Sequence, residues 1–287
     1  MHTAKTSTNS GLSIAVVVPG LRVADVAFNS AEIQRVLQPL LNTNPDWIVF
    51  PRLCLTGATC GDLFRQELLQ EAAMQALIDL APLTNGSRSK VLLGLPLAIG
   101  QEVYEGLALL SSGCIEAVMV APSPQNPPLA PATNLQEPVK GNLAGEMLPL
   151  LIKTPYRFGK AEVLMGFQPP SDQETDLLIN LFNLPALAPA LETPQTMFDP
   201  ANRSGVTVIC SAGASESSTD QVFSGKAEIW QNGICLAAAP ELSFTTQIIQ
   251  AVCEPLSAQP LRSEEVSVKN SEPVRFPFIR DTEPEKQ

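Results

Sequence analysis

Short apolar segments alternate with segments of helical periodicity in the first third of the chain. Residues 13–18, 47–50 and 90–95 are apolar, rich in aliphatic and β-branched side chains, and predict strands. Residues 30–41 and 65–80 repeat apolar positions every three or four residues and predict helices between those strands. This order of elements is typical of an α/β fold, in which helices cover the faces of a sheet.

The later part of the chain predicts more strands and two irregular segments. A hairpin is predicted around Ser111, Ser112 and Gly113, because residues 104–110 and 115–120 are apolar on both sides of that turn. Six prolines between positions 122 and 138 predict an irregular, exposed loop. We expect one domain over residues 13–254, with flexible tails at 1–12 and 255–287. The remaining predicted strands are 177–181, 206–210, 226–230, 234–238 and 247–253.

Composition favours one large soluble domain. The 287 residues are 45% hydrophobic, which is enough to bury a sizeable core. A net charge of -11, with acidic residues spread along the chain, should repel nucleic acids and anionic membrane surfaces. The sequence contains neither an apolar run of about 18 to 20 residues nor an N-terminal signal segment. We therefore expect a cytoplasmic protein that binds neither membranes nor nucleic acids.

Histidine and cysteine usage restricts the possible chemistry. His2 is the only histidine and lies in a polar tail, so histidine-based catalysis and histidine metal sites are not expected. The six cysteines form no Cys-x-x-Cys pair and mostly lie in apolar segments, which predicts buried, reduced thiols. We expect no metal and no cofactor. Any catalysis would have to use glutamate, lysine, cysteine or tyrosine.

Several motifs carry a resemblance to a known family. They are Arg-Val-Ala-Asp and Phe-Asn within 22–29, Leu-Cys-Leu-Thr-Gly at 53–57, Cys-Gly-Asp-Leu-Phe at 60–64, and Ser-Ala-Gly, Glu-Ser-Ser-Thr-Asp and Val-Phe-Ser-Gly within 211–225. From Ile14 to about Arg280 the chain resembles the glutaminase domain of glutamine-dependent NAD synthetases, in the carbon-nitrogen hydrolase (nitrilase-like) family. Residues 275–279 resemble the connector to the synthetase domain. The resemblance implies a four-layer α-β-β-α sandwich.

The resemblance also implies a catalytic triad that this chain lacks. In the family, a cysteine attacks the glutamine amide, a glutamate takes the thiol proton and a lysine stabilises the oxyanion. The corresponding positions here hold Leu164, Arg52 and Ala121. An alternative alignment matches 158–160 to an upstream Phe-Gly motif and deletes the nucleophile strand, so neither alignment supplies a thiol. A guanidinium cannot act as a general base.

Two further positions extend these changes into the substrate pocket. Ala58 stands where the family has an aromatic residue, and Phe182 interrupts an Asn-Leu-Ser-Ala-Ser strand end. Ala121 also avoids placing a lysine beside Arg52, where two buried like charges would be costly. We therefore expect a catalytically degenerate domain that acts through binding or assembly, as a homo-oligomer or with an NAD synthetase.

Several alternatives remain open at this point. Arg52 could reach the surface or pair with Asp62 or Glu162, which we favour over an anion-binding role. Cys210 could serve as a displaced nucleophile of an active amidase, although a buried structural thiol is favoured. The chain could also be the N-terminal part of a split NAD synthetase. The motif at 211–220 fits ligand binding and turn formation equally well.

Overall fold

A computed structural model describes residues 11–122, 128–132, 135, 139–143, 146–151, 156–166, 175–183 and 199–254. The described residues form fourteen strands and two α-helices. The strands are β1 (Leu12–Val18), β2 (Trp47–Val49), β3 (Lys90–Ile99), β4 (Glu102–Ser111), β5 (Cys114–Val120), β6 (Val139–Leu143), β7 (Glu146–Leu151), β8 (Tyr156–Phe158), β9 (Ala161–Met165), β10 (Leu177–Leu181), β11 (Val206–Cys210), β12 (Ala227–Gln231), β13 (Ile234–Ala238) and β14 (Gln247–Cys253). The helices are α1 (Val26–Thr43) and α2 (Glu67–Leu80).

The strands form two sheets that pack face to face. The larger sheet has the order β14-β1-β2-β3-β4-β5-β7-β6, and the smaller sheet has the order β13-β12-β11-β10-β9-β8. Val16 and Leu92 of the larger sheet share one buried cluster with Val163 and Ile179 of the smaller sheet. In the strands that supply this cluster, alternate residues therefore form the layer between the sheets.

Both described helices cover the outer face of the larger sheet. Ile33 and Leu37 of α1 and Leu77 of α2 are buried in one cluster with Ile48 of β2 and Leu93 of β3. The predicted α/β fold, with helices outside a two-sheet sandwich, is confirmed.

The helices begin at positions that differ from the sequence prediction. Helix α1 starts at Val26 because the side chain of Asp25 accepts a hydrogen bond from the Phe28 N–H at 3.1 Å. Helix α2 starts at Glu67, after a separate 3-10 helix over Gly61–Arg65. Strands β6, β7 and β8 are absent from the prediction, and Gly141 in β6 and Pro149 in β7 weaken their strand patterns.

The proline-rich segment does not form the predicted exposed loop over its described part. Leu129, Ala130 and Ala132 are buried in the cluster beneath the helices. Ala130 bridges Tyr104 and donates its N–H to the carbonyl oxygen of Val103 at 2.7 Å. Apolar residues between the prolines keep their N–H groups, so the segment can pack along β4 despite its composition.

The cysteine prediction holds for four of the six residues. All six are free thiols, but Cys114 and Cys235 are exposed, while the buried ones are Cys54, Cys60, Cys210 and Cys253. Both exposed thiols lie in strands next to hairpin turns, where one face meets solvent. The predicted tails at 255–287 and, except for its last two residues, at 1–12 lie outside the described residues.

Within the described residues, neither helix combines the length and the apolar character that crossing a bilayer requires. The cytoplasmic location stays a prediction.

Gly94 in β3 sets how closely the segment after β2 can approach the sheet. A Cβ at this position would lie 2.3 Å from the Leu53 nitrogen and 2.7 Å from the Arg52 Cα. We expect Gly94→Ala to lower the free energy of unfolding by about 2 to 3 kcal/mol, because backbone atoms cannot move aside cheaply. Urea unfolding measures this loss.

Gly159→Ala is the matched control for that substitution. A Cβ at Gly159 meets nothing within 4 Å, so only its φ of +65° opposes the alanine. We expect a loss of about 1 kcal/mol from that conformation alone. Equal losses in the two variants would contradict a steric role for Gly94.

Candidate functional site

The segment after β2 turns sharply at Leu53. Leu53 has a φ of +56°, a left-handed conformation that is uncommon for a bulky residue. Its carbonyl oxygen accepts hydrogen bonds from the N–H groups of Thr56 at 3.0 Å and Gly57 at 2.8 Å, which closes the turn. Gly94 allows this turn to pack directly on β3. The result is that Arg52 points into the protein.

Arg52 forms a fully buried ion pair with Glu105 of β4. Its Nε lies 2.5 Å from Oε1 of Glu105, and both side chains are 0% exposed. Glu105 shares its face of β4 with Leu107 and Leu109, which belong to the layer between the sheets. The guanidinium therefore lies at the boundary of the inter-sheet core.

The expectation that Arg52 reaches the surface is wrong, and the prediction of its acidic partner missed Glu105. Asp62 is exposed on the 3-10 helix, and Glu162 forms an ion pair with Arg157 at 3.2 Å. Glu105 is 53 positions away from Arg52, so sequence proximity cannot reveal the pair. The available signal was one carboxylate at an inward position within residues 103–110, which are otherwise uncharged.

Ala121 and the end of β9 meet the same ion pair. The Ala121 N–H donates to the carbonyl oxygen of Glu105 at 2.8 Å. A Cβ on Gly166, the residue after β9, would lie 3.5 Å from Nη1 of Arg52. The structure thus brings Arg52, Ala121 and the region of the proposed nucleophile position together.

Tyr156 is a further member of this site that sequence reasoning did not identify. Its hydroxyl donates a hydrogen bond to the carbonyl oxygen of Val120, next to Ala121. Burial raises the pKa of Tyr156 above its ordinary value, and the nearby Arg52 charge partly opposes that shift. The phenol therefore stays protonated and acts as a donor between the sheets.

Leu164 is buried in β9, two residues before Gly166. It pairs with Asn180 of β10, on the sheet face opposite Val163 and Met165, whose side chains join the inter-sheet core. The turn at 169–171, which supports this alignment, lies outside the described residues. The assignment of Leu164 to the nucleophile position stays a prediction.

The two predicted pocket positions lie in different surroundings. Ala58 is buried in a small cluster with Ala212 and Phe223. Phe182 follows β10, is mostly buried, and donates its N–H to the carbonyl oxygen of Cys210 at 3.2 Å. The role of both positions in a former substrate pocket stays a prediction.

Glu216 gives the motif at 211–220 a structural role, because its side chain connects two loops. Oε1 accepts the Gly213 N–H and Oε2 accepts the Ala58 N–H, both at 2.9 Å, so the buried carboxylate joins two loops. Burial raises the pKa of Glu216 to about 7 despite these two donors. The hydroxyls of Ser217 and Ser218 accept local backbone N–H groups, as turn-forming residues do.

Cys210 has the environment of a structural thiol. It lies in the inter-sheet core, and burial raises its pKa well above the ordinary value, which disfavours the reactive thiolate. Cys54 beside it is also fully buried, with its pKa raised by the same cause. In the described part of the chain, no three acidic, cysteine or histidine side chains gather as metal ligands would.

Comparison with solved structures identifies the fold. A glutamine-dependent NAD(+) synthetase from Cytophaga hutchinsonii aligns with 86% of this chain and 44% of its own, with a TM-score of 0.69 and 18% identity. An amidase of the nitrilase superfamily from Nesterenkonia sp. AN1 aligns with 86% of this chain and 92% of its own, with a TM-score of 0.60 and 14% identity. The chain has the fold of the carbon-nitrogen hydrolase superfamily.

Comparison of sequences points to one branch of that superfamily. The glutamine-dependent NAD(+) synthetase of Mycobacterium bovis is 24% identical over 281 residues, which include 84% of this chain and 38% of the relative. That of Mycobacterium leprae is 24% identical over 242 residues. No family model matches the chain. The resemblance to the glutaminase domain of these synthetases is confirmed, and the chain spans under half the length of these relatives.

The Arg52–Glu105 pair should behave as a buried unit. We expect Arg52→Met alone or Glu105→Leu alone to lower the free energy of unfolding by about 3 to 5 kcal/mol, because each leaves one charge buried. The double variant should recover most of that loss, since no charge remains. Urea unfolding of all four proteins, combined as a double-mutant cycle, measures the coupling.

The surface pair of Lys90 and Glu116 is the matched control for this cycle. Its Nζ–Oε1 distance is 3.1 Å and both side chains are partly exposed. We expect Lys90→Met and Glu116→Leu to show a coupling below about 1 kcal/mol. A similarly small coupling between Arg52 and Glu105 would contradict the assignment of a tightly paired buried ion pair.

Glu216 should make stability depend on pH. Its pKa of about 7 in the folded protein lies above its ordinary value of 4.5, so the folded state holds a proton that the unfolded state releases between these values. Stability should therefore fall by about 2 kcal/mol as pH rises from 5 to 7.5. Urea unfolding across this range, compared between the wild type and Glu216→Gln, isolates the effect.

The expected result is a shallower pH slope in Glu216→Gln, together with a constant loss from the altered hydrogen bonds. Glu241→Gln, at an exposed position, serves as the control and should keep the wild-type slope. An unchanged slope in Glu216→Gln would show that its carboxylate does not titrate in this range.

Proposed function

We propose that this chain is a catalytically degenerate glutaminase-like domain that acts through binding or assembly. The observation that carries the proposal is the buried ion pair of Arg52 with Glu105. In the resemblance to carbon-nitrogen hydrolases, Arg52 occupies the position of the general base. A guanidinium has no lone pair available to take the proton from a nucleophile.

The surroundings of Arg52 support the same proposal. An oxyanion needs a donor or a cation, but the residue at the lysine position is Ala121, and its N–H already binds the carbonyl oxygen of Glu105. Gly166 lies close to the guanidinium, and the Tyr156 hydroxyl donates to the carbonyl oxygen of Val120; neither group can take a proton from a nucleophile. These contacts favour a stable packed unit over a reaction centre.

The competing proposal of an active amidase requires a thiolate. In the Nesterenkonia amidase, a variant carries the acetamide moiety of fluoroacetamide on its active-site cysteine. Cys210 is the candidate for that role here, but its burial and raised pKa keep it protonated and away from solvent. This observation favours the non-catalytic proposal.

The relatives suggest where such a domain would act. The matched proteins are glutamine-dependent NAD(+) synthetases, and the chain matches 38% of the length of the Mycobacterium bovis protein. We extend the proposal to a cytoplasmic complex, formed with an NAD synthetase or between copies of this chain. A split synthetase, with its ATP-using part encoded separately, is one form of such a complex.

Ammonia release from glutamine tests the loss of catalysis. We expect no release above the buffer rate, because neither the base nor the oxyanion cation of the family is present. An active glutamine-dependent NAD synthetase serves as the positive control, and Cys210→Ala tests the displaced nucleophile. Turnover by the wild type that Cys210→Ala abolishes would overturn the proposal in favour of an amidase.

A further inference from the structure

The chain contains two Asn-Gly pairs, and both lie in tight turns. Asn85 and Gly86 follow the 3-10 helix over Ala81–Thr84, and Asn232 and Gly233 join β12 to β13. The backbone nitrogen of a residue after asparagine can attack the asparagine side chain, and glycine obstructs this attack least because it has no Cβ. All four residues are at least partly exposed, so exposure alone does not separate the two pairs.

The Asn232 pair is held by hydrogen bonds and by close packing. The side-chain Oδ1 of Asn232 accepts the Gly205 N–H at 2.8 Å, and the Asn232 N–H donates to the carbonyl oxygen of Gly205 at 3.0 Å. Gly233 lies against the chain at Ala201, since a Cβ there would be 2.4 Å from the Ala201 carbonyl oxygen. Rotation of the Asn232 side chain or of its turn therefore has to break several contacts.

The Asn85 pair is held by its backbone alone. The N–H of Asn85 donates to the carbonyl oxygen of Pro82 at 3.0 Å, and the N–H of Ser87 donates to that of Thr84 at 3.1 Å. Within the described part of the chain, the Asn85 side chain makes no hydrogen bond. The Gly86 N–H also lacks an acceptor among the described residues, and a Cβ on Gly86 would meet nothing within 4 Å. Both groups that would react therefore have room to rotate.

We propose that Asn85 is a site of spontaneous deamidation, in which the Gly86 nitrogen attacks Cγ of the Asn85 side chain. The Gly86 N–H loses its proton to solvent base, the new N–Cγ bond closes a succinimide ring, and the side-chain nitrogen of Asn85 leaves as ammonia. Water then opens the ring at either carbonyl carbon, which produces aspartate or isoaspartate. One water is consumed and one ammonia is released, and no oxidant or reductant is required.

Ring closure requires the turn to open locally. Asn85 has a ψ of 134°, so the bond between its Cα and its carbonyl carbon has to rotate before the Gly86 nitrogen can approach Cγ. Gly86 can follow this rotation, because it has no side chain and open space around it. The pair also lies in an exposed connection between a 3-10 helix and β3, and such connections open more readily than strands or helices.

The modification would change the contact between this turn and the hairpin turn of β4 and β5. Oγ1 of Thr84 accepts the Gly113 N–H at 2.8 Å, and a Cβ on Gly113 would lie 3.2 Å from the Cβ of Asn85. Isoaspartate lengthens the main chain by one methylene group at this contact. Both products also add a carboxylate to a chain whose net charge is already -11. We therefore expect deamidation to loosen the hairpin turn at Gly113.

Mass spectrometry of tryptic peptides measures the reaction at both pairs in one sample. Cleavage after lysine and arginine places Asn85 in the peptide 66–88 and Asn232 in the peptide 227–262, each as the only asparagine. Each reaction raises the peptide mass by about 1 Da. In folded protein kept in mildly alkaline buffer, we expect Asn85 to react about tenfold faster than Asn232, because the Asn232 turn must first break its hydrogen bonds.

Unfolding provides the control for the role of the structure. In denaturant, we expect the two pairs to react at similar rates, because both are Asn-Gly and neither turn is then held. Asn85→Gln is the matched variant, since its longer side chain would have to close a larger and less favourable ring. It should lose the mass gain in the peptide 66–88 and keep the slow gain in the peptide 227–262.

Hydrogen exchange of the Gly113 amide measures the structural consequence. We expect faster exchange in aged wild type than in fresh wild type, because the acceptor at Thr84 is displaced. Aged Asn85→Gln should exchange as slowly as the fresh variant.

The proposal is overturned by equal rates at Asn85 and Asn232 in the folded protein, by a rate difference that persists in denaturant, or by a mass gain in the peptide 66–88 that survives Asn85→Gln. Unchanged exchange at Gly113 after complete reaction would overturn the structural consequence. The ammonia from Asn85 is limited to one molecule per chain and does not depend on glutamine. It therefore cannot be mistaken for glutaminase turnover, and the outcome does not depend on the proposed function.

Discussion

A guanidinium buried between two sheets must be neutralised, and this constraint organises the centre of the protein. Removing a charge from water is unfavourable by several kcal/mol, so Arg52 can be fully buried only with Glu105 beside it. A lysine at position 121 would add a second buried positive charge without a second carboxylate to neutralise it. Gly94 and Gly166 then supply the room, since backbone lies against one glycine and the guanidinium against the other. These five residues form one mutually dependent set of contacts.

The motifs that carry the family resemblance have structural roles that do not require catalysis. Asn29 accepts the Arg22 N–H and donates to the carbonyl oxygens of Arg22 and Leu55, so it joins two of the motif segments. Glu216 joins the segment at Ala58 to the late motif. Because these side chains hold loops in place, their presence is explained by the fold. The resemblance therefore supports the architecture more strongly than it supports the activity.

Different parts of the molecule were predictable for different reasons. Continuous apolar runs were sufficient to predict β1 and β3, which are buried on both faces, and helical periodicity was sufficient for both helices. The residue type of Arg52 was enough to single it out as a candidate site residue. Glu105 and Tyr156 could not be identified in this way, because their roles depend on contacts between distant strands. The burial of Leu129, Ala130 and Ala132 was missed because proline density outweighed the apolar residues between the prolines. Tertiary contacts, which the sequence pattern does not show, determine the positions of Glu105, Tyr156 and this segment.

The central ion pair and the exposed side chains of β14 lie in different parts of the structure. Arg52 follows β2, whereas β14 lies beyond β1 on the far side of that strand. The edge residues Ile248 and Val252 contribute exposed surface, so a lysine there leaves no buried charge, in contrast to a single substitution at Arg52 or Glu105. The packing of Arg52 against Glu105 therefore places no constraint on the exposed side chains of β14.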